Sequence, residues 1–537
     1  MKRRDFVRNS IPAATVLPAI INGYSVKAFN ANSPLIQALM QTTSETDHVL
    51  VIVQLSGGND GLNTVIPIST YSNYFNARSN VAIVQNSILA LSGVSQSGLH
   101  PSMTGMQAMF NNGMMKVIHA VGYPQPNFSH FRATDIWMSG SNSTQEVFSG
   151  WAGRYLDYEY QDFPVSYPNA NMPDPLAIQI GSTTSLTLQG PTVNMGMSIT
   201  NPTSFYNLVN NTTDPVPNTP AGKELAFLRL VTQQTQKYST VIQAAANRVT
   251  AQNPYPTNNT LADQLRIVAR LIKGGLKTRI YMVSFGGFDT HSVQVNAADH
   301  NTGTHATLLQ RVSAAIKAFQ DDLQFLQIEQ RVVGMTFSEF GRRIKSNSSG
   351  GTDHGSSAPM FIFGANVDPG MLGDNPAIPV NTTVNDNIPM QYDFRSVYST
   401  LLEKWFCLDK TIVTGLFPPN VNTQLQSLSL IRTSATCSGG GTTPTRSNSL
   451  GAEGIITNDP NPFTSSTRIS FRTAGGHTLI QIIDTMGRMI KTLLETDYPA
   501  GGEFYVDFDS ETLPPGIYYA RFQNGTVQKV RPMLKIR

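Results

Sequence analysis

Residues 49–67 read VLVIVQLSGGNDGLNTVIP, and no other stretch so narrows what this chain can fold into. Val49 to Leu55 is apolar apart from Gln54. A run of that kind, without alternation, suits a strand covered on both faces at the centre of an α/β sheet. It breaks off in Ser56-Gly57-Gly58-Asn59-Asp60-Gly61. The glycines let the chain turn sharply, and they leave the Asp60 carboxylate just past the carboxyl end of the strand, where open α/β sheets bind ligands.

Three later segments repeat the pattern of an apolar strand running into chemically capable residues. Lys116 to Val121 leads into a loop with Pro124 and Pro126 and then Asn127, Ser129 and His130. The prolines hold that loop extended, and Asn127 or Ser129 can cap a helix starting near His130 and ending at Gly140. Thr278 to Phe285 leads into Gly286-Gly287-Phe288-Asp289-Thr290-His291. Arg331 to Phe337 leads into Ser338-Glu339-Phe340-Gly341-Arg342. A polar loop then carries Thr352-Asp353-His354-Gly355-Ser356 ahead of another apolar strand, Pro359 to Phe363. Helical periodicity fills the intervals at Pro101 to Asn112, Thr260 to Gly274, Ala306 to Gln327 and Ser396 to Phe406, with a polar helical stretch from Asn201 to Tyr255. Strand and helix in alternation predict a mostly parallel sheet with helices on both faces, and all four strand ends are expected to meet at one site.

Asp60, Asp289, His291, Glu339, Asp353 and His354 form a donor set of carboxylates and imidazoles without cysteine, suited to Zn, Mn, Mg, Ca or Fe. Two such ions would stabilise the attacking and leaving oxygens of a displacement at phosphorus or sulfur. Ser129, with His130 beside it, is the candidate nucleophile, because a helix N-terminus favours the anion that attacks. Each residue also has a plainer reading. Asp60 can shape its turn, Ser129 can be a simple cap, Asp289 and His291 can be a hydrogen-bonded pair, and Glu339 can pair with Arg342. His100 and His305 are the next nearest candidates; His48, His119, His300 and His477 read as surface or packing residues.

Composition excludes other classes. Charged residues make up 14% of the 537, and the net charge is +3, so nothing argues for nucleic acid. Two cysteines, Cys407 and Cys437, exclude a disulfide framework and a cysteine-based zinc site. The N-terminus is basic from Lys2 to Arg8 and then modestly apolar, too short and too broken by Pro12 and Pro18 to span a bilayer; no other stretch is a transmembrane candidate. Arg3-Arg4 followed by Phe6 resembles a twin-arginine export signal over residues 1–29. A Gly/Ser/Thr-rich linker, 437–453, separates the large domain from residues 455–537, where short strands and turn signals predict a small all-β sandwich.

SGGNDGLN, NFSHFRATDIW, GGFDTH, SEFGR and GTDHG, in that order, resemble the DUF1501 family of exported proteins, over residues 46–430. That family is placed in the alkaline phosphatase/sulfatase-like superfamily. The resemblance implies a three-layer α/β/α sandwich, metal ligands at strand ends and a Ser, Thr or formylglycine nucleophile. By motif, Asp60, Asp289, His291, Asp353 and His354 take the ligand positions and Ser129 the nucleophile's place. The last motif often reads DHGHG in that family, whereas Ser356 stands here at the second histidine. There is no Cys-x-Pro-x-Arg stretch, which argues against a formylglycine sulfatase. Asn461-Pro462-Phe463, Ile482 to Arg488 and Leu513 to Tyr519 resemble a type A sorting domain of the type IX secretion system. Together these imply a metal-dependent hydrolase of phosphate or sulfate esters, on a small-molecule or polysaccharide substrate. It would cross the periplasm by twin-arginine and then type IX machinery to the cell surface or medium. The alternative is a non-catalytic surface protein for binding or assembly on a degenerate scaffold.

Overall fold

The computed structural model describes residues 19–21, 24–26, 46–160, 163–164, 166–191, 193–202, 238–418, 425–433, 454–461, 463–484, 489–510, 512–514, 516–525 and 527–535. The Arg3-Arg4 motif, the linker and most of the stretch from Asn201 to Tyr255 lie outside them.

The apolar run forms β1 (Val49–Ser56) at the heart of a nine-stranded sheet. The other strands are β2 (Met115–Gly122), β3 (Ala177–Ile180), β4 (Gly196–Ile199), β5 (Ile280–Gly286) and β6 (Val332–Phe337). A hairpin of β7 (Arg342–Ser346) and β8 (Thr352–His354) stands apart from the sheet. The chain then returns to the sheet with β9 (Ala358–Phe363), β10 (Gly370–Leu372) and β11 (Tyr392–Asp393). The order is β10-β2-β9-β6-β1-β5-β3-β4, with β11 also on β2. Leu50 lies beside Ile280 on one side and Val333 on the other. Every neighbouring pair is parallel except the two that β9 makes, with β6 and β2.

That single reversal matters. The carboxyl ends of β1, β2, β5 and β6 share one edge of the sheet, and the amino end of β9 joins them there. The hairpin that precedes β9 is thereby delivered to the same edge.

Both faces of β1 are dry, so its side chains divide between two cores. Val49, Val51, Val53 and Leu55 face one, with Met106 of α1 (Thr104–Asn111), Leu265 of α4 (Thr260–Lys273) and Ile316 of α5 (Thr304–Phe325). Leu50 and Ile52 face the other, with Trp137 of α2 (His130–Ser139), Tyr155 of α3 (Trp151–Glu159) and Val397 of α6 (Phe394–Lys404). Burying each such side chain is worth roughly 1.5–3 kcal/mol. The result is the three-layer α/β/α sandwich that the sequence implied.

The C-terminal strands form a three-stranded and a four-stranded antiparallel sheet, including one strand, Gly454–Asp459, that the sequence reading did not anticipate. Ile469 and Phe508 of one sheet share a core with Ile482, Ala520 and Met533 of the other, as in a sandwich. Cys407 is disulfide-bonded, and Cys437 lies outside the described residues. Among the described residues, no helix is long and apolar enough to cross a membrane.

Candidate functional site

Four loops and one hairpin meet at the shared sheet edge. After β1 the chain turns at Gly57 and Gly58, with φ of 121° and 78°. A Cβ on Gly57 would stand 2.4 Å from the Asp289 amide nitrogen, so only glycine lets this loop lie against the one after β5. After β2 the proline loop delivers α2. The Asn127 side chain accepts from the Ser129 N–H at 2.9 Å, and Ala133 N–H closes the first turn on Ser129 O at 2.8 Å. Ser129 occupies the N-cap, but its hydroxyl makes no cap bond, and the residue is exposed. His130 opens α2 and faces the other loops.

His130, Asp289, His291 and His354 form one compact cluster. A ligand atom from each of His130, Asp289 and His354 lies within 4.8 Å of the other two. His291 Nε2 is 2.8 Å from His354 Nε2 and 3.2 Å from Asp289 Oδ1. His354 Nε2 is 3.3 Å from the same oxygen, and His130 Nε2 is 3.4 Å from Asp289 Oδ2.

Hydrogen bonding fixes the ring tautomers. His354 Nδ1 lies 2.7 Å from the Phe128 carbonyl, which can only accept, so Nδ1 carries the hydrogen. His130 Nδ1 donates to Glu339 Oε1 at 2.8 Å, and His291 Nδ1 to Asp353 Oδ1 at 3.2 Å. In the neutral rings, all three Nε2 lone pairs therefore face one another and the Asp289 carboxylate, itself only an acceptor. Lone pairs so opposed repel unless protons or a cation stand between them. Rings held at Nδ1 by carboxylates or a carbonyl, with Nε2 converging, are the outer support that metal-binding histidines carry. The donor set fits a divalent ion of the Zn or Mn kind.

Electrostatics keep the carboxylates ionised. Burial works to raise the Asp289 pKa, but the hydrogen bond and charge of Arg342, 2.8 Å away, hold it down at about 2, with His354 and His291 adding to the effect. The Asn347 side-chain bond depresses Asp353, aided by His291. Burial lowers the His354 pKa, as does the charge of Arg342, which favours the neutral ring that a metal requires.

Three expected ligands stand outside that cluster: Asp353, whose carboxylate accepts from His291 Nδ1 instead of facing the Nε2 atoms, Glu339 and Asp60. Glu339 is buried behind His130, its Oε1 accepting from both His130 and the Gly57 N–H at 2.9 Å, so it supports a ring of the cluster. It makes no pair with Arg342, whose guanidinium instead serves Asp289 and the carbonyls of Gly57, Gly58, Phe288 and Thr352. Asp60 is fully buried, and both of its oxygens accept from Arg78 Nη1, at 2.8 and 2.7 Å. Gln294 donates to Asp60 Oδ2 at 2.6 Å. Burial works to raise the Asp60 pKa, but the charges of Arg78 and His305 and the hydrogen bonds from Arg78 and Gln294 together outweigh it, so the group is held below the usual carboxylate range. Ser356, at the position of the second histidine in the DHGHG pattern, donates to the Ile388 carbonyl at 2.6 Å.

Sequence reasoning missed Asn347, Phe340 and Gln294. Asn347 Nδ2 binds Asp353 at 3.0 Å and the His291 carbonyl at 2.8 Å. The buried Phe340 ring lies against His130 and His354, with centroids 4.9 and 4.4 Å away. No local pattern marks any of the three. His305, fully buried, bonds Asn59 at 3.0 Å, and His100 stands edge-on to it; both belong to the interior beneath the site.

Two family models match the chain. One, described as "Protein of unknown function (DUF1501)", matches residues 47–417, and the other, "Secretion system C-terminal sorting domain", matches residues 460–535. No curated protein sequence matches. Similar solved structures include Ps i-CgsB in complex with k-i-k-neocarrahexaose, at 10% identity and TM-score 0.32, with 71% of this chain and 74% of that chain covered. Another is a Bacteroides thetaiotaomicron protein described in work on metabolism of multiple glycosaminoglycans, at 10% identity and TM-score 0.31, covering 83% and 89%. A third is the PsFucS1 sulfatase from Pseudoalteromonas sp., at 9% identity and TM-score 0.29, covering 88% and 85%.

Proposed function

The chain belongs to the DUF1501 family, and from that premise we propose that it is an exported, metal-dependent hydrolase of phosphate or sulfate esters. The observation that carries this reading is the convergence of three imidazole Nε2 atoms on the Asp289 carboxylate at an open edge of the sheet. His130, Asp289, His291 and His354 would hold one ion, which when bound supplies Lewis acidity toward an ester oxygen and lowers the pKa of a bound hydroxyl. The chain's own residues do the rest. Glu339, Phe128 and Asp353 keep each ring turned so that its Nε2 faces inward. Arg342 fixes the Asp289 carboxylate. Ser129, with a hydroxyl free of capping duty at the head of a ten-residue helix, is the nucleophile in this reading. Its Oγ attacks phosphorus or sulfur and its proton passes to solvent; the bond from phosphorus or sulfur to the alcohol oxygen breaks, that oxygen taking a proton from solvent, and water then cleaves the seryl ester to release phosphate or sulfate and restore the hydroxyl.

The sorting domain indicates export to the cell surface or the medium. Twin-arginine passage into the periplasm first is part of the proposal. The ester comes from a small molecule or a polysaccharide.

A second reading, binding without turnover, gains support from Asp60. Its carboxylate is taken up by Arg78 and Gln294, so Asp60 itself is not open to a second ion. The two readings part in an assay with p-nitrophenyl phosphate and p-nitrophenyl sulfate. We expect hydrolysis of at least one ester by the purified protein, lost in chelator, restored by metal and lost in Ser129→Ala. Metal binding with no turnover of either ester would leave the binding role.

A further inference from the structure

We propose that Gln294 is the positioning residue that holds both halves of the metal cup in register. This rests on the reading of the cluster as a cation site. Gln294 is wholly buried. Its Oε1 accepts from Thr290 Oγ1 at 3.1 Å and from Thr352 Oγ1 at 2.7 Å, while its Nε2 donates to Asp60 Oδ2 at 2.6 Å. Thr290 stands between Asp289 and His291, and Thr352 immediately precedes Asp353 and His354. One amide thus ties the loop after β5 to strand β8, and both to the loop after β1.

The surroundings close this tie into a ring. Asp60 holds Arg78, whose Nε and Nη2 reach the carbonyls of Ile344 and Arg343 at 2.9 and 2.5 Å. Those residues belong to β7, which begins with Arg342, the partner of Asp289. Backbone bonds reinforce it: Gln294 N–H to Gly350 O at 2.9 Å, and Thr352 N–H to Thr290 O at 3.2 Å. A Cβ on Gly351 would fall 2.4 Å from the His291 carbonyl carbon, so the two loops touch backbone to backbone. Val293 sits at φ 49°, a conformation that β-branched residues rarely adopt, and 68% exposed, so no packing of its own side chain keeps it there. Its own N–H bond to the Ser349 carbonyl at 3.2 Å and the buried bonds of Gln294 next to it do.

Only an amide meets this demand. It offers an acceptor with two lone pairs to two hydroxyls and a donor to a carboxylate. A methionine of similar length offers neither. Loss of such outer support weakens metal binding by about 10–100-fold. The residue acts through Asp289, His291 and His354 and touches no substrate.

The test is calorimetric titration of the full chain with Zn²⁺ alone, after chelator treatment, comparing wild type with Gln294→Met and Thr278→Val. Thr278 is fully buried and its Oγ1 donates to the Pro175 carbonyl at 2.7 Å, ahead of the amino end of β5 and so at the far end of that strand from the cup. We expect one site in all three, with Kd raised tenfold or more in Gln294→Met and unchanged in Thr278→Val despite its lower Tm. A Gln294→Met Kd within twofold of wild type overturns the inference and leaves the cation site standing. Absence of Zn²⁺ binding to wild type removes both. Should Gln294→Met fail to fold, Thr352→Val carries the same comparison, with severalfold weakening expected and an unchanged Kd overturning the proposal.

Discussion

We expect His354→Ala to lose the ion that the proposed site would hold. His354 contributes an Nε2 that lies 2.8 Å from His291 Nε2 and 3.3 Å from Asp289 Oδ1, so the variant loses a direct donor. Losing an outer partner alone costs about 10–100-fold in metal affinity, and a direct donor costs at least the upper end of that range. We expect His354→Ala, titrated with Zn²⁺ after chelator treatment, to bind at least about 100-fold more weakly than wild type. Its thermal unfolding in chelator should match that of chelated wild type, because the ring is partly exposed and makes one carbonyl bond. Equal affinity in the two proteins would mean that the imidazoles converge for another reason.

The second large effect lies under the site. Arg78 and Asp60 are both fully buried, and their ion pair spans 2.7 Å. Removing one partner of a buried pair leaves the other charged without compensation, which costs about 3–5 kcal/mol. Arg78→Met should therefore lower the unfolding free energy, read from denaturant titration, by an amount of that order. Adding Asp60→Asn should recover part of the loss, since the stranded charge is gone. Metal stoichiometry at saturation should stay at one in both variants. If Asp60→Asn alone abolished metal binding, Asp60 would be a ligand after all, and the salt bridge would not be its role.

Asp60 also marks where sequence stops being legible. The strand–turn pattern correctly puts it past a central strand, and the sheet edge is where the cluster forms. What decides its role is Arg78, at the end of an eight-residue helix whose apolar positions follow no periodicity. A pair brought together by tertiary packing leaves no trace in local spacing. The same holds for Glu339, which the turn after β6 sets behind His130 instead of beside it. It holds for Gln294 as well, a neutral amide in a polar loop.

That Asp289, His291 and His354 come together was legible for a physical reason, whereas His130 reads from sequence only as the neighbour of Ser129. Asp289 and His291 are two residues apart on extended chain, so one orientation serves both. Asp353 and His354 lie at the end of a hairpin whose position depends on a strand, β9, that itself reads as a buried run. The reversal of β9 was not legible, because apolar runs carry no direction. It is nonetheless what brings the hairpin to the edge where β1, β2, β5 and β6 end.

In the proposed site a cation resolves the opposition of three Nε2 lone pairs and one carboxylate. Elemental analysis of the full chain, purified at neutral pH without chelator or affinity metal, should find one equivalent of a divalent transition metal per chain, removed by chelation with a fall in Tm and regained on adding Zn²⁺ or Mn²⁺. Less than a tenth of an equivalent, with a Tm indifferent to chelator and to added metal, would mean that no cation sits there.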